Sequence, residues 1–261
     1  MPEGDTIFRT ASTLRQVLAG KVVTRFEAPA VRGTGPAVGT AVSEVEARGK
    51  HLLIRFGDDR TLHTHMQMHG SWHIYRHGER WRKSPAKARV VIETPEMVAV
   101  CFDAPVVELL DRGDLARHPQ LTSLGPDLCL KDADIDEALR RMASVDPSAP
   151  IGVVLLDQRV AAGIGNVYKS EVLHACRVDP FLPVGSLGSA TRRRLLETAS
   201  TLLRQNLSGG PRRTVREGLA VYERGGRPCR VCGTVIKHRR QGDGGRSTWW
   251  CPVCQTTEAG S

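Results

Sequence analysis

No stretch of about 18 consecutive apolar residues occurs in the 261-residue chain, so nothing in it reads as a membrane-spanning helix. Its start lacks the basic, apolar and small-residue order of a secretory leader. There is no internal repeat and no low-complexity tract, which removes solenoid and disordered classes. Acidic residues are also few: 28 Asp and Glu stand against 37 Lys and Arg, a net charge of +9. That excess is uneven, because Arg212 to Cys254 holds ten basic residues against three acids, a local +7. Such a block suits a polyanion better than scattered solubilising charge does, the alternative being a solvated basic tail. With 40% hydrophobic residues the chain can bury one large core or two ordinary ones. The expectation is a soluble, cytoplasmic, nucleoid-associated monomer with no membrane partner.

Of the seven cysteines, Cys101, Cys129 and Cys176 stand alone in apolar or loop contexts and read as buried filler. The other four are paired. Cys229-x2-Cys232 and Cys251-x2-Cys254, eighteen residues apart, have the spacing of two thiolate knuckles that close a tetrahedral zinc shell. Four thiolates leave no open coordination position, so one Zn2+ per chain would hold the fold and not activate water. A disulfide pairing is the poorer alternative in a cytosolic chain. Between the knuckles, 235–240, a Gly-rich turn at 242–245 and 246–250 predict a β-hairpin with Arg246 at its tip, a cation suited to phosphate.

Ile7, Ala11, Leu14, Val17 and Leu18 recur at helical spacing, predicting a helix capped by Asp5 or Thr6 and ending near Gly20. Short β-rich runs follow at 22–28, 51–56, 61–66, 71–75, 89–94, 97–103 and 106–110, with turn signals between them. That pattern favours a two-sheet sandwich over a parallel α/β sheet. The segment 119–131, with Gly125-Pro126-Asp127, reads as a linker. Helical periods then return at 135–142, 151–156, 167–175 and 191–207. In the loop Ala161 to Lys169, Gly163-Ile164-Gly165 precedes a helix with Asn166 at its cap. Backbone N–H groups there could receive a DNA phosphate, or the turn simply joins two helices.

The first residues carry a possible catalytic pair. Excision of Met1 before Pro2 would leave a secondary amine beside Glu3. An α-amino group titrates near ~8 against roughly 10.4 for lysine, so part of it is nucleophilic at neutral pH and able to form an iminium. Alternatively, Pro2 only sets the first backbone angle.

Taken together, Met1-Pro2-Glu3-Gly4, Arg48-Gly49-Lys50, Leu124-Gly125-Pro126-Asp127, Gly163-Ile164-Gly165-Asn166 and the ribbon ending Cys251-Pro252-Val253-Cys254-Gln255 resemble the formamidopyrimidine-DNA glycosylase and endonuclease VIII family. The resemblance runs nearly the whole chain and is nearest the endonuclease VIII branch. It implies a multidomain α+β fold: a catalytic β-sandwich with a flanking helix (1–118), a linker (119–131), a helix-two-turn-helix domain (132–222), a zinc-ribbon hairpin (223–256) and a tail (257–261). The implied function is a bifunctional DNA glycosylase and AP lyase of base-excision repair, acting on damaged DNA that is double-stranded or partly single-stranded. Pro2 would attack C1′ and form the Schiff base, and Glu3 would donate a proton to the sugar. Lys50 would contact phosphate and assist β-elimination, Arg246 would bind phosphate for δ-elimination, and Asn166 would hold another phosphate.

Reaching C1′ requires rotating the nucleotide out of the duplex, which leaves a hole to fill. In relatives a loop between strands fills it, and the matching stretch is Gln67-Met68-His69. Met68 reads as an apolar wedge with Gln67 reaching base edges, or else as a sandwich-core residue. Gly4-Asp5-Thr6 and the short stretch 208–220 point to oxidised pyrimidines. Alternatives are a purine-directed enzyme acting on 8-oxoguanine and a non-catalytic zinc-ribbon damage-binding protein. Ser123 departs from the pattern, standing where relatives can carry a DNA-contacting arginine.

Overall fold

Alternation of side chains shapes the first half of the chain. Leu52, Ile54 and Phe56 enter one apolar core, so the period of two sends His51, Leu53 and Arg55 to the opposite face of their strand. The structure, a computed structural model, describes residues 2–31 and 33–256. Met1 and the expected tail at 257–261 lie outside them.

Cα packing divides the chain into two units, Met1–Ser123 and Leu124–Ser261, so the division falls within the stretch read as a linker. In the first unit, α1 (Gly4–Leu18) is followed by β1 (Arg25–Glu27), β2 (Val42–Arg48), β3 (His51–Phe56), β4 (Thr61–His65), β5 (Ser71–Arg76), β6 (Ala88–Glu93), β7 (Met97–Phe102), β8 (Val106–Leu110), α2 (Arg112–Arg117) and α3 (Pro119–Thr122). The strands form two antiparallel four-stranded sheets, ordered β1-β6-β7-β5 and β2-β3-β4-β8. Their facing sides bury Val45, Leu52, Ile54, Leu62, Ile92 and Ala99 together with Ile7, Ala11, Leu14 and Leu18 of α1. This is the expected sandwich with its flanking helix.

Several boundaries differ from the sequence reading. The N-cap of α1 is Glu3, so the helix starts before Asp5 and Thr6, both of which lie inside it. β2 was not expected, because Ser43-Glu44-Val45-Glu46 carries polar residues on its exposed side and hides a strand among charges. The run expected at 22–28 shrinks to Arg25–Glu27 plus a single Val22–Ala41 bridge.

The second unit contains α4 (Ile135–Ala143), α5 (Ile151–Val154), α6 (Asn166–Ala175), α7 (Ser189–Gln205) and the hairpin of β9 (Lys237–Gln241) and β10 (Arg246–Trp250). The helix expected at 151–156 is one turn, Ile151–Val154. Asn166 is not a cap: Gly165 occupies that position, with Asn166 as the first helical residue. Cys101, Cys129 and Cys176 are buried, as expected of filler, and burial pushes the Cys101 thiol up to about 12. Among the described residues no helix is long and apolar enough to cross a membrane.

Candidate active site and nucleic-acid interface

Pro2 directly precedes the N-cap of α1, and Glu3 at that cap is fully buried. The Glu3 carbonyl accepts the N–H groups of Thr6 and Ile7 at 2.9 and 3.1 Å, which fixes the first turn. Farther along, Arg15 donates through Nε and Nη2 to the Val45 carbonyl at 3.0 and 2.6 Å, tying α1 to β2. β2 leads to Lys50 through a two-residue turn between paired Arg48 and His51. Gly49 takes the first turn position with φ of 60°, a left-handed value that a Cβ disfavours. Thus the helix that follows Pro2 and the turn that carries Lys50 are fixed to adjoining elements of one unit.

Gln67, Met68 and His69 form the turn between β4 and β5, where the chain crosses from one sheet to the other. Met66 is buried in the core and its carbonyl accepts Gly70 N–H at 2.8 Å. A Cβ at Gly70 would lie 2.8 Å from the Met66 backbone, so only glycine closes the turn this tightly. All three intervening residues are exposed, Met68 by 52%, so Met68 is not a core side chain.

In the second unit the Gly-Pro-Asp and Gly-Ile-Gly-Asn segments meet. Ala162 N–H donates to Pro126 O at 2.9 Å, Leu128 N–H donates to Ala162 O at 3.1 Å, and Asp127 pairs with Ala162 in a bridge. Gln158 braces the same loop, accepting Gly163 N–H at 3.1 Å and donating to the Leu156 and Ile164 carbonyls. Asn166 emerges from it 7% exposed, and its Oδ1 is buried without a hydrogen-bond partner among the described residues. Arg246 is exposed beside the hairpin turn, opposite Gln241. Ser123, the departure from the pattern, is the C-cap of α3.

The four cysteines form the structural zinc site. Their sulfur atoms lie within 4.8 Å of one another, with Cys229–Cys254 at 3.8 Å and Cys232–Cys251 at 3.4 Å. A tetrahedron with Zn–S of about 2.3 Å requires edges of roughly 3.8 Å, so the set fits the ion. Val231 and Cys254 N–H groups point at Cys229 and Cys251 sulfurs, as knuckle turns do.

Family models for the formamidopyrimidine-DNA glycosylase N-terminal domain and H2TH domain match residues 1–105 and 124–216. A model for the zinc finger found in FPG and IleRS matches 226–257. The chain belongs to the formamidopyrimidine-DNA glycosylase family. A probable endonuclease 8 2 of Streptomyces coelicolor is 42% identical, over 99% of this chain and 95% of that protein. A DNA-(apurinic or apyrimidinic site) lyase Nei2 of Mycolicibacterium smegmatis is also 42% identical, over 98% and 99%. In fold the chain is similar to a Lactococcus lactis Fpg solved with abasic-site DNA, with a TM-score of 0.83 at 22% identity, over 98% and 100% of the two chains.

This family member also contains polar groups that the sequence reading missed. Glu171 on α6 is 1% exposed and accepts the N–H groups of Ala220, Val221 and Tyr222 at 2.7–2.8 Å plus the Thr214 hydroxyl. Lys169, fully buried, donates to Ser247 O at 3.1 Å and Thr248 Oγ1 at 2.8 Å, joining α6 to the strand that begins at Arg246. Asn206 donates to Arg213 O and accepts Arg213 N–H, both at 2.8 Å, clasping the ends of 207–212. The only advance signal was a charged Lys-x-Glu pair in a helix with no other formal charge.

In the sandwich, histidines cluster one residue beyond Lys50. Leu121 N–H donates to His118 Nδ1 at 3.3 Å, so His118 carries its hydrogen on Nε2 and donates to Glu108 Oε2 at 3.0 Å. His63 Nδ1 donates to the same oxygen at 2.8 Å, leaving Nε2 to accept from His51 Nδ1 at 2.8 Å. Burial first, then neighbouring charge from histidines and Lys50, lowers His51 to about 3 and His65 to about 4. His63, His118 and Glu108 are close enough to hold an ion. Their hydrogen bonds already satisfy one another, and the hydrogen on His118 Nε2 blocks the lone pair an ion would need.

Proposed function

We propose that this chain is a bifunctional DNA glycosylase and AP lyase of base-excision repair that removes oxidised pyrimidines and cleaves the strand by β,δ-elimination. The single observation that carries the reading is Pro2 with buried Glu3 at the head of α1, in a chain whose three family segments follow in order. The name of the Mycolicibacterium relative, an abasic-site lyase, supports the second activity.

In this mechanism the Pro2 amine, freed of Met1, attacks C1′ of an extruded nucleotide. Glu3 supplies the proton that opens the sugar ring as the base departs, so nitrogen and C1′ become an iminium. The iminium acidifies the C2′ proton, whose loss expels the 3′-phosphate; the conjugated iminium that results acidifies the C4′ proton, whose loss expels the 5′-phosphate. Lys50 holds phosphate and assists the first elimination, and Arg246 holds phosphate for the second. Asn166 grips the backbone, and the exposed Gln67-Met68-His69 turn fills the vacated stack. The zinc site keeps the hairpin folded and stays outside the chemistry.

The pyrimidine assignment rests on Gly4-Asp5-Thr6 and on the short 207–212 excursion clasped by Asn206, which offers little to cover a larger purine. Borohydride reduction on thymine-glycol DNA tests the nucleophile, since it fixes an iminium as a stable adduct. Wild type is expected to be trapped and Pro2→Gly to lose most of the adduct. Full trapping of a protein with a blocked N-terminus would remove Pro2 from the role. Single-turnover excision fastest on 8-oxoguanine would replace the pyrimidine assignment with the purine-directed one.

A further inference from the structure

The segment Arg76 to Arg89, linking β5 to β6, contains six basic residues and one acid, a local charge of +5 that is separate from the C-terminal block. Basic side chains elsewhere in the sandwich unit are mostly neutralised. Lys21, Arg25, Arg55, Arg60, Arg112 and Arg117 each lie within 4.0 Å of a carboxylate. Within the loop only Lys83 does, 2.9 Å from Asp103. The one acid, Glu79, accepts the backbone N–H of Arg76 at 2.9 Å and neutralises no guanidinium. Arg76, Arg80, Arg82, Lys87 and Arg89 have no carboxylate within 4.0 Å among the described residues. Ordinary solvation does not explain why five cations without a carboxylate partner gather in one loop of a surface where most of the others have one.

The loop is also held in place. Trp81 stacks on Tyr75 with centroids 6.1 Å apart and meets Phe102 edge-on at 5.7 Å, over the outer apolar cluster of Val91, Val98 and Val100. At its far end Asp103 N–H donates to Lys87 O at 3.0 Å. Asp103 is held below the usual carboxylate range, chiefly by the Lys83 hydrogen bond, with Lys87 and His69 adding to the effect. His69 belongs to the exposed turn read as the gap filler, so Asp103 lies within electrostatic reach of both the loop and that turn.

We infer that the 76–89 loop is a second phosphodiester-binding surface, which grips the DNA backbone flanking the lesion through Arg80, Arg82 and Lys87. It rests on the glycosylase reading for its ligand, and it adds a contact on the sandwich unit to those expected of Asn166 and Arg246. Fixed cations without internal partners release counterions when phosphate arrives, so each contact adds close to one to the salt dependence of binding. Such contacts set register and affinity but carry no sequence preference.

The test is the slope of log K against log salt for the full zinc-loaded chain on duplex DNA containing a tetrahydrofuran abasic analogue, which cannot be cleaved through an iminium. Arg80→Ala and Lys87→Ala are each expected to lower the slope by about one and the pair by about two, with uniform weakening across flanking sequences. Lys21→Ala, removing a cation already paired with Glu96, is the control and should leave the slope alone. A single-stranded arm separates the sources of phosphate: an equal slope change there points to one-strand contact, and a change confined to duplex points to both strands. Slopes in the double variant equal to wild type, with melting temperatures also unchanged, would overturn the surface. Borohydride trapping of wild type separates this failure from the other: no adduct with altered slopes sinks the chemistry and keeps the surface, whereas an adduct with unaltered slopes does the reverse.

Discussion

The most connected buried polar networks of the two units differ in kind. In the sandwich, apart from the buried carboxylates Glu3 and Asp5 at the head of α1, the network is made of rings: buried His51 and His63 and half-buried His118 pass hydrogens toward a single partly exposed carboxylate, and none needs a charge to satisfy its partner. The other unit buries formal charges, Glu171 and Lys169, two residues apart on one helix, each surrounded by backbone and hydroxyl groups. A neutral network costs little to desolvate but is vulnerable to protons. A buried ionisable group is costly to leave without partners. The difference teaches that the Glu171 network depends on a few hydrogen-bond acceptor atoms, whereas the histidine network depends on its rings staying neutral.

The largest break in this comparison should come from the metal. Cys251→Ser opens the thiolate shell, and because structural zinc contributes folding free energy outright, the hairpin is expected to unfold and release zinc. Segment-resolved hydrogen exchange should show β9 and β10 deprotected while β3 and β7 keep their protection. A variant that releases its zinc yet keeps hairpin protection counts against the metal's structural role.

Next in size is Glu171→Ala. Three N–H groups lose their acceptor, each at about 1–3 kcal/mol, so a loss of several kcal/mol is expected in denaturant unfolding. Glu171→Gln keeps oxygen acceptors for part of the set and should lose less. Equal effects of the two substitutions would show that charge, and not hydrogen bonding, holds the 214–222 segment.

Acid should act on the sandwich instead. Unfolded histidine titrates near ~6.5, whereas folding depresses His51 to about 3 and His65 to about 4. Between those limits the unfolded chain binds more protons, so their contribution is complete above about pH 6.5 and declines as pH falls toward 3–4. At pH 5 the loss is on the order of 1–2 kcal/mol per ring. Exchange of β3 and β4 amides, corrected for intrinsic pH dependence, should accelerate between pH 7 and 5. Unchanged protection would mean that folding does not change the proton affinity of these rings.

The smallest effect on the fold should come from Met68→Ala, because the side chain is exposed. Stability should change by no more than about 0.5 kcal/mol, while affinity for DNA with a missing base falls measurably. Loss of stability without loss of affinity would return Met68 to a packing role.

What the sequence disclosed follows the same division. Features spaced at fixed intervals along the chain were legible: the zinc knuckles, the period-two strands of the sandwich, the period-3.6 helices and the motifs carrying Pro2, Lys50 and Asn166. Groups whose partners are distant in sequence were not. Glu171 meets Val221 fifty residues on, and His63 meets Glu108 across forty-five. Nothing in the neighbourhood of either residue encodes that meeting. β2 escaped because its exposed face reads as charge, and the 76–89 loop because a charge count does not show which cations are already paired.

The Asn206–Arg213 clasp gives the molecule an adjustable part. The clasp fixes where the 207–212 excursion leaves α7 and where it returns, and Glu171 then fixes the chain from Thr214 onward. Residues added between those points would lengthen the excursion without moving either foot. Extra loop length costs little entropy, about 0.6 kcal/mol per doubling. Under the proposed role of this excursion in limiting base size, insertion at one place would widen the range of bases handled, leaving Pro2, the zinc site and both sheets untouched.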